Sequence, residues 1–444
     1  MTDLIRMPAR EVVRLLKAHE ISPLELIEAA LARIQAADPL LNALPTLCPD
    51  RARAAAERIM ADNTTARAHA GWLGGLPIAV KDLTDVQGVR TTFGSHIYAD
   101  NIARESDVTV ELLEQRGAVV LAKSNTPEFG AGANTFNEVF GKTRNPWNTA
   151  LSCGGSSGGS AVALATGQVW LATGTDLGGS LRTPASFCSV VGLRPSPGRV
   201  ARSAANPFDT LSVSGPMARD VADVALFLDA MAGPHPKDPL AWQAPDSSFQ
   251  RAADSKTLPK RVAFSKDLGF LPVDPEIAEI CRAAAHRLSE AGVIVEEACP
   301  DFGGAIEIFQ TLRAASFAAR YEPLYRSRAH RKKLKPEIIW NIEKGLKLKA
   351  SDIGRAQIAR GALFQRVAKF FAGCDLLLCP AAPVAPFDVD IRWVDAIGGH
   401  KLDTYIDWIA ITFAVTLTAC PAISLPCGFT RSPHSLSAGI CGAK

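Results

Sequence analysis

None of the ten cysteines in this 444-residue chain pair as C-x-x-C, and none clusters with histidine at zinc spacing. They read as free, mostly buried thiols in a reducing, cytoplasmic setting. Strong charge of either sign is also missing. Charged residues make up 21% and the net charge is only +3, so composition gives no reason to expect nucleic acid or an anionic membrane as a partner. No internal repeat and no low-complexity tract is present, and Met1 to Arg14 lacks the apolar stretch of a secretory signal. Trp408 to Phe429 carries no charge over about the length of a membrane span. It holds Pro421, Pro426, Gly428 and several threonines and has no flanking basic cluster, so it reads as a buried helix or strand and not as a membrane span.

What is present points to a large α/β enzyme. Apolar residues are 47% of the chain, enough for a sizeable core. Residues 1–65 read as helical. Ser22-Pro23-Leu24-Glu25 is a capping box with proline at the first helical position, Leu24, Ile27, Leu31 and Ile34 share a face, and Asp38-Pro39 ends the helix. From Gly71 to about Arg199, short apolar runs alternate with glycine-rich loops and helical stretches. Leu76 to Val80, Ala118 to Leu121 and Val169 to Thr173 are expected strands, and Asp107 to Arg116 an expected helix. After a surface excursion over Pro234 to Lys260, strands are expected at Arg261 to Phe264, Val293 to Val295 and Leu376 to Cys379, with a helix over Pro275 to Ala291. The basic run RSRAHRKKLK, residues 326–335, reads as a solvated face.

Two stretches are dense in glycine and serine: Cys153 to Ser160 and Gly174 to Ser180. Neither is a Walker A loop, which needs Lys-Ser/Thr after its last glycine, and neither carries G-x-G-x-x-G. An oxyanion hole is the better use. Leu177, Gly178, Gly179 and Ser180 can supply backbone N–H donors and a nucleophile from one tight turn. Gly154 to Gly158 matches G-x-S-x-G, but the residues before it, NPWNTALS, are polar and turn-like, not a strand entering a nucleophile elbow. The eight histidines stand alone, His400 being the best of a weak set of bases. Lysine is the alternative base. Lys81 closes the apolar run Leu-Pro-Ile-Ala-Val, which places its amine at the inner end of a buried strand. Burial lowers a lysine from its usual value of about 10.4 by disfavouring the charged form, so that the neutral amine can accept a proton near neutral pH.

Five stretches then resemble the amidase signature family: GLPIAVKD (75–82), AKSNTPEFG (122–130), TRNPWN (143–148), CGGSSGGSA (153–161) and GTDLGGSLRTPASFCSVVGLRPSPGRV (174–200). Weaker echoes extend the resemblance from about residue 5 to residue 430. It implies a single α/β domain with a large mixed β-sheet covered by helices on both faces, the signature core lying at about 71–200. It implies a Ser-Ser-Lys triad of Lys81, Ser156 and Ser180, with a cis peptide bond at Gly155–Ser156. By the same resemblance Gly130 and Ala131 border the substrate pocket, and Ser157, Asp176 and Arg182 support the reacting groups. Asp176 and Arg182 also read as a structural ion pair. No cofactor and no metal is implied, and the partner is a small-molecule amide, with neither nucleic acid nor membrane; a homodimer is compatible.

The family pattern breaks after CPAISLPCGF (420–429), where the chain runs on as RSPHSLSAGICGAK. That tail lacks the expected apolar pattern, so residues 431–444 are expected to be disordered. Three functions follow. The leading one is a stand-alone amidase. The second is the A subunit of a glutamyl-tRNA(Gln) or aspartyl-tRNA(Asn) amidotransferase, although SAANPFDTLSVSGPMARD (203–220) departs from that subunit's S-S-L-D-Q-x-G-P pattern. The third is a catalytically impaired homologue that keeps the triad only as scaffold.

Overall fold

The computed structural model describes residues 2–61, 68–431 and 438–443. Its centre is an eleven-stranded mixed sheet. Across the sheet the strands run Thr46–Leu47, Val119–Ser124, Pro77–Lys81, Leu171–Asp176, Val213–Ala218, Val191–Arg194, Ala422–Gly428, Ala438–Ala443, Leu376–Pro380, Arg261–Phe264 and Ile294–Glu297. Three neighbouring strands at one side (119–124, 77–81, 171–176) are mutually parallel, and so are the three at the other (376–380, 261–264, 294–297). The strands between them pair antiparallel.

Parallel strands need crossover connections, and the helices supply them. Val108–Gln115 leads into Val119–Ser124, Gly158–Ala165 into Leu171–Asp176, and Pro275–Glu290 into Ile294–Glu297. All residues of Pro77–Lys81 and Val119–Ser124 are buried, as continuous apolar runs in a doubly covered sheet should be. The outer strand Ile294–Glu297 is mostly exposed and ends in two glutamates, which blunt an open edge. Every expected strand and helix is found within a few residues of its sequence position.

Two expectations need correction. The first helix with a capping box, Pro23–Leu41, does not stop at Asp38-Pro39. Its last turn survives the missing proline N–H because Asp38 holds it. The Asp38 main-chain oxygen accepts the N–H of left-handed Asn42, and its carboxylate accepts those of Ala43 (2.7 Å) and Leu44 (3.2 Å). The second correction concerns the tail. Ala438–Ala443 is a strand, inserted between Ala422–Gly428 and Leu376–Pro380 and paired with both. Hydrogen bonding on two sides, not an apolar alternation, specifies it; without it two strands would each lose a partner. Residues 432–437 and 444 lie outside the described residues.

The uncharged segment Trp408 to Phe429 becomes a buried helix, Ala410–Leu417, followed by the strand Ala422–Gly428. Among the described residues no helix is long and apolar enough to cross a membrane.

Because Ala438–Ala443 joins the two halves of the sheet, a chain ending at Arg431 is expected to lose cooperative unfolding or to shift its urea midpoint strongly downward. An unchanged midpoint would show that the strand is dispensable.

Candidate active site

The parallel register brings the carboxyl ends of three strands together. Lys81 lies opposite Ser124, and Asp176 ends the strand on the other side of the Lys81 strand. Open α/β sheets place ligands at such strand ends.

Lys81 has no solvent exposure. Its Nζ lies 2.7 Å from Ser156 Oγ, 2.8 Å from Ser157 Oγ and 2.9 Å from Thr175 Oγ1. These are three hydroxyls, and among the described residues no carboxylate contacts the amine. Burial pushes its pKa well below the usual lysine value, with the charge of Asp176 opposing. A neutral amine has two N–H donors and one lone pair, so one of the three contacts can be a hydroxyl donating to nitrogen. Lys123, on the neighbouring strand, is the contrast. It is equally buried, but Asp82 lies 3.3 Å away, and Thr84 O and Thr91 Oγ1 accept from it.

Ser156 follows the cis peptide Gly155–Ser156, as the resemblance implied. Gly130 has φ +69°, and a Cβ there would stand 3.5 Å from Ser156 Oγ and only 2.8 Å from Leu83 Cδ1. Glycine therefore lets this loop close on the serine. Ser157 joins the two glycine-rich loops: its N–H donates to the Ser180 carbonyl at 3.2 Å, and its Oγ accepts from Thr175 N at 3.3 Å. Ser180 is half-buried, and its hydroxyl has no hydrogen-bond partner among the described residues.

Asp176 organises the Ser180 loop. Its carboxylate accepts from Gly179 N (2.9 Å), Leu181 N (3.2 Å) and both Arg182 Nε and Nη2 (3.0 Å each), with Arg194 Nη1 at 3.4 Å. All three charged side chains are fully buried. Burial alone would raise the carboxyl; the guanidiniums of Arg182 and Arg194, with these hydrogen bonds, outweigh it and hold the group well below the usual carboxylate range. Structural ion pair and support of the loop are thus one arrangement.

Within the expected donor set, the Gly179 N–H differs from the other three. That N–H is committed to Asp176, leaving those of Leu177, Gly178 and Ser180 without a partner among the described residues. Gly179 itself is fixed by space: at φ +121°, a Cβ would lie 2.2 Å from Thr412 Oγ1. Thr412 donates to Gly178 O at 2.7 Å, and its carbonyl accepts from Arg182 Nη1 at 2.9 Å.

Sequence reasoning did not find Thr175, Arg194 or Thr412. Thr173 and Thr175 were legible in principle, since alternate residues of the Leu171–Asp176 strand share a face. Thr412 gave no signal, lying more than 200 positions away in an apolar run. His400 is exposed in a two-residue ribbon, Ala396–Ile397 with His400–Lys401, and does not join this cluster. The basic run is largely solvated as expected, except Lys335. Its amine meets Ala131 O and its N–H donates to Glu128 Oε2 at 2.8 Å, so it braces the Gly130–Ala131 loop.

A model of the amidase family matches residues 25–442. An acylamidase from Rhodococcus erythropolis is 35% identical over 430 residues, covering 96% of this chain and 89% of that protein. The A subunit of a glutamyl-tRNA(Gln) amidotransferase from Anaeromyxobacter dehalogenans (strain 2CP-C) is 36% identical, covering 96% and 90%. A bacterial aryl acylamidase of the amidase signature family superposes with a TM-score of 0.90 at 28% identity, covering 98% of this chain and 92% of that one.

Replacing Asp176 by alanine leaves two buried guanidiniums uncompensated, which is expected to cost about 3–5 kcal/mol of stability. Urea unfolding measures it, and a loss under about 1 kcal/mol would contradict the role given to the carboxylate.

Proposed function

The chain belongs to the amidase signature family and hydrolyses amide C–N bonds, and on that premise we propose that it works through an acyl-enzyme on Ser180, with Lys81 as base and Ser156 as relay. The observation that carries this reading is the Lys81 amine, buried among hydroxyls and, among the described residues, free of carboxylate contact. Neutral Lys81 takes the proton of Ser156, which takes that of Ser180. Ser180 Oγ attacks the amide carbonyl carbon, and the N–H groups of Leu177, Gly178 and Ser180 hold the oxyanion. Collapse of the tetrahedral intermediate breaks the C–N bond, and the leaving amine receives its proton through Ser156. Water then adds to the ester by the same relay and releases the acid.

Gly130 and Ala131 border the bound amide, Ser157 steadies Lys81, and Asp176 with Arg182 fixes the Ser180 loop. The names of the acylamidase and aryl acylamidase relatives support an acyl or aryl amide as substrate. A self-sufficient enzyme is favoured over an amidotransferase subunit by the divergent segment at 203–220. The pairing of Ala438–Ala443 on both sides within the sheet counts against a catalytically impaired homologue.

A fluorophosphonate probe is expected to label Ser180, and the label should vanish in Ser180→Ala; folded protein that takes no label would overturn the nucleophile. Lys81→Ala should lower the acylation rate by about 100- to 10,000-fold. In the parent enzyme kcat/KM should fall as the pH drops through the lowered pKa of Lys81, because the ammonium form cannot accept a proton. A flat acid limb with normal Lys81→Ala activity would remove lysine from the mechanism.

A further inference from the structure

We propose that Arg313 is a specificity-determining residue that selects amides bearing a carboxylate group. The proposal deepens the hydrolase reading above and rests on it. Its starting point is the helix Ala305–Arg326. Residues four apart on a helix stack along one face, and here Phe309, Arg313, Phe317 and Tyr321 form such a row. At one end, Phe309 Cζ would meet a Cβ on Gly178 at 3.3 Å. At the other, the Tyr321 ring stacks on Phe129 at 4.5 Å, and Phe317 clusters with Phe129 and Ala131. Phe129 precedes Gly130, which closes on Ser156. The row therefore spans from the Ser180 loop to the Gly130–Ala131 loop, the two segments that flank the scissile amide. Arg313 is its only charged member, one turn from Phe309 and one from Phe317.

Arg313 is only 4% exposed. Its guanidinium donates to Asn341 Oδ1 and to Tyr405 OH (2.6 Å) and lies 4.5 Å from the Phe317 ring centroid. Both hydrogen-bond partners are neutral, and among the described residues it makes no ion pair. The nearby carboxylates are committed elsewhere. Glu337 takes Arg392 at 2.7 and 2.8 Å, Glu128 takes Ser95 Oγ and Lys335 N, and Asp407 takes Gln310 Nε2 and Thr404 N. Charges of both signs surround the guanidinium. Burial pushes the Lys335 amine down to about 8, with Glu337 and Glu128 opposing and Arg392 and Arg313 adding to the effect.

Buried charges in proteins are paired, as Arg182 and Arg194 are by Asp176. A buried guanidinium without an anion, beside the reacting loops, is a place where the ligand supplies one. Its planar fork suits a carboxylate, and two of its five N–H donors are already used to hold it in place. The aromatic members of the row offer flat apolar surface to the rest of the substrate.

The test compares matched amides with the purified full chain: N-succinyl-4-nitroanilide against butyryl-4-nitroanilide, and 4-acetamidobenzoate against acetanilide. The first pair places the carboxylate on the acyl side, the second on the amine side. In at least one pair the charged amide should have a kcat/KM about 10- to 100-fold higher, the worth of a charge-assisted hydrogen bond. In Arg313→Met that ratio should collapse toward one, and Arg313→Lys should restore part of it. Ratios near one in both pairs for the parent enzyme would overturn the proposal, whatever the folding of the variants, and so would a preference that survives in Arg313→Met. Hydrolysis without charge discrimination defeats this inference alone. Failure to hydrolyse any of the four, together with no fluorophosphonate label on Ser180, defeats the amidase mechanism and this inference with it.

Discussion

Two buried titratable groups, Lys81 and Asp176, stand at adjacent strand ends, and the site depends on how burial and charge are balanced between them. The charge of Asp176 acts against burial at Lys81, favouring the protonated amine. Left alone, it would stabilise an ammonium, and an ammonium cannot act as a base. Arg182 and Arg194 both pair with the carboxylate and keep it ionised. At the Lys81 amine burial outweighs the charge of Asp176. The same carboxylate takes the N–H groups of Gly179 and Leu181 and thereby fixes the turn that presents Ser180. One ion cluster thus lies beside the proposed base and fixes the turn of the proposed nucleophile.

Much of this was readable from residue order alone, for physical reasons. A lysine closing an apolar strand inside a covered sheet is placed at that strand's inner end, and Lys81 is buried there. The Ser22–Glu25 capping box declares a helix start because it satisfies two orphan donors locally, and both of its hydrogen bonds are present. What was not readable comes from contacts between distant segments. Thr412 reaches Gly178 across 234 positions, and nothing in the run around it distinguishes that threonine from a core filler. The Asp38 side chain that carries its helix past Pro39 looked like part of a stop signal. The Ala438–Ala443 strand lacked an alternation because its place is secured by backbone pairing on both edges, which a pattern of side chains does not report.

The division of labour in the chain follows the same line. The proposed reacting groups, Lys81, Ser156 and Ser180, come from segments on and beside the parallel strands. The surface facing them comes from the helices Ala305–Arg326, Pro336–Leu346 and Ala410–Leu417. The last of these is the joint. Thr412 and Thr416 hold Gly178 and Arg182 on one side of it, and the Phe413 ring stacks on Phe309 at 4.1 Å on the other. A shift of the Phe309–Tyr321 row would therefore press on the oxyanion loop through Phe413 and the helix that carries it. In a close-packed interior such a shift is not absorbed locally. A substrate that engages Arg313 as proposed would for that reason affect turnover as well as binding, because the row that carries Arg313 and the turn proposed to hold the oxyanion rest on the same helix.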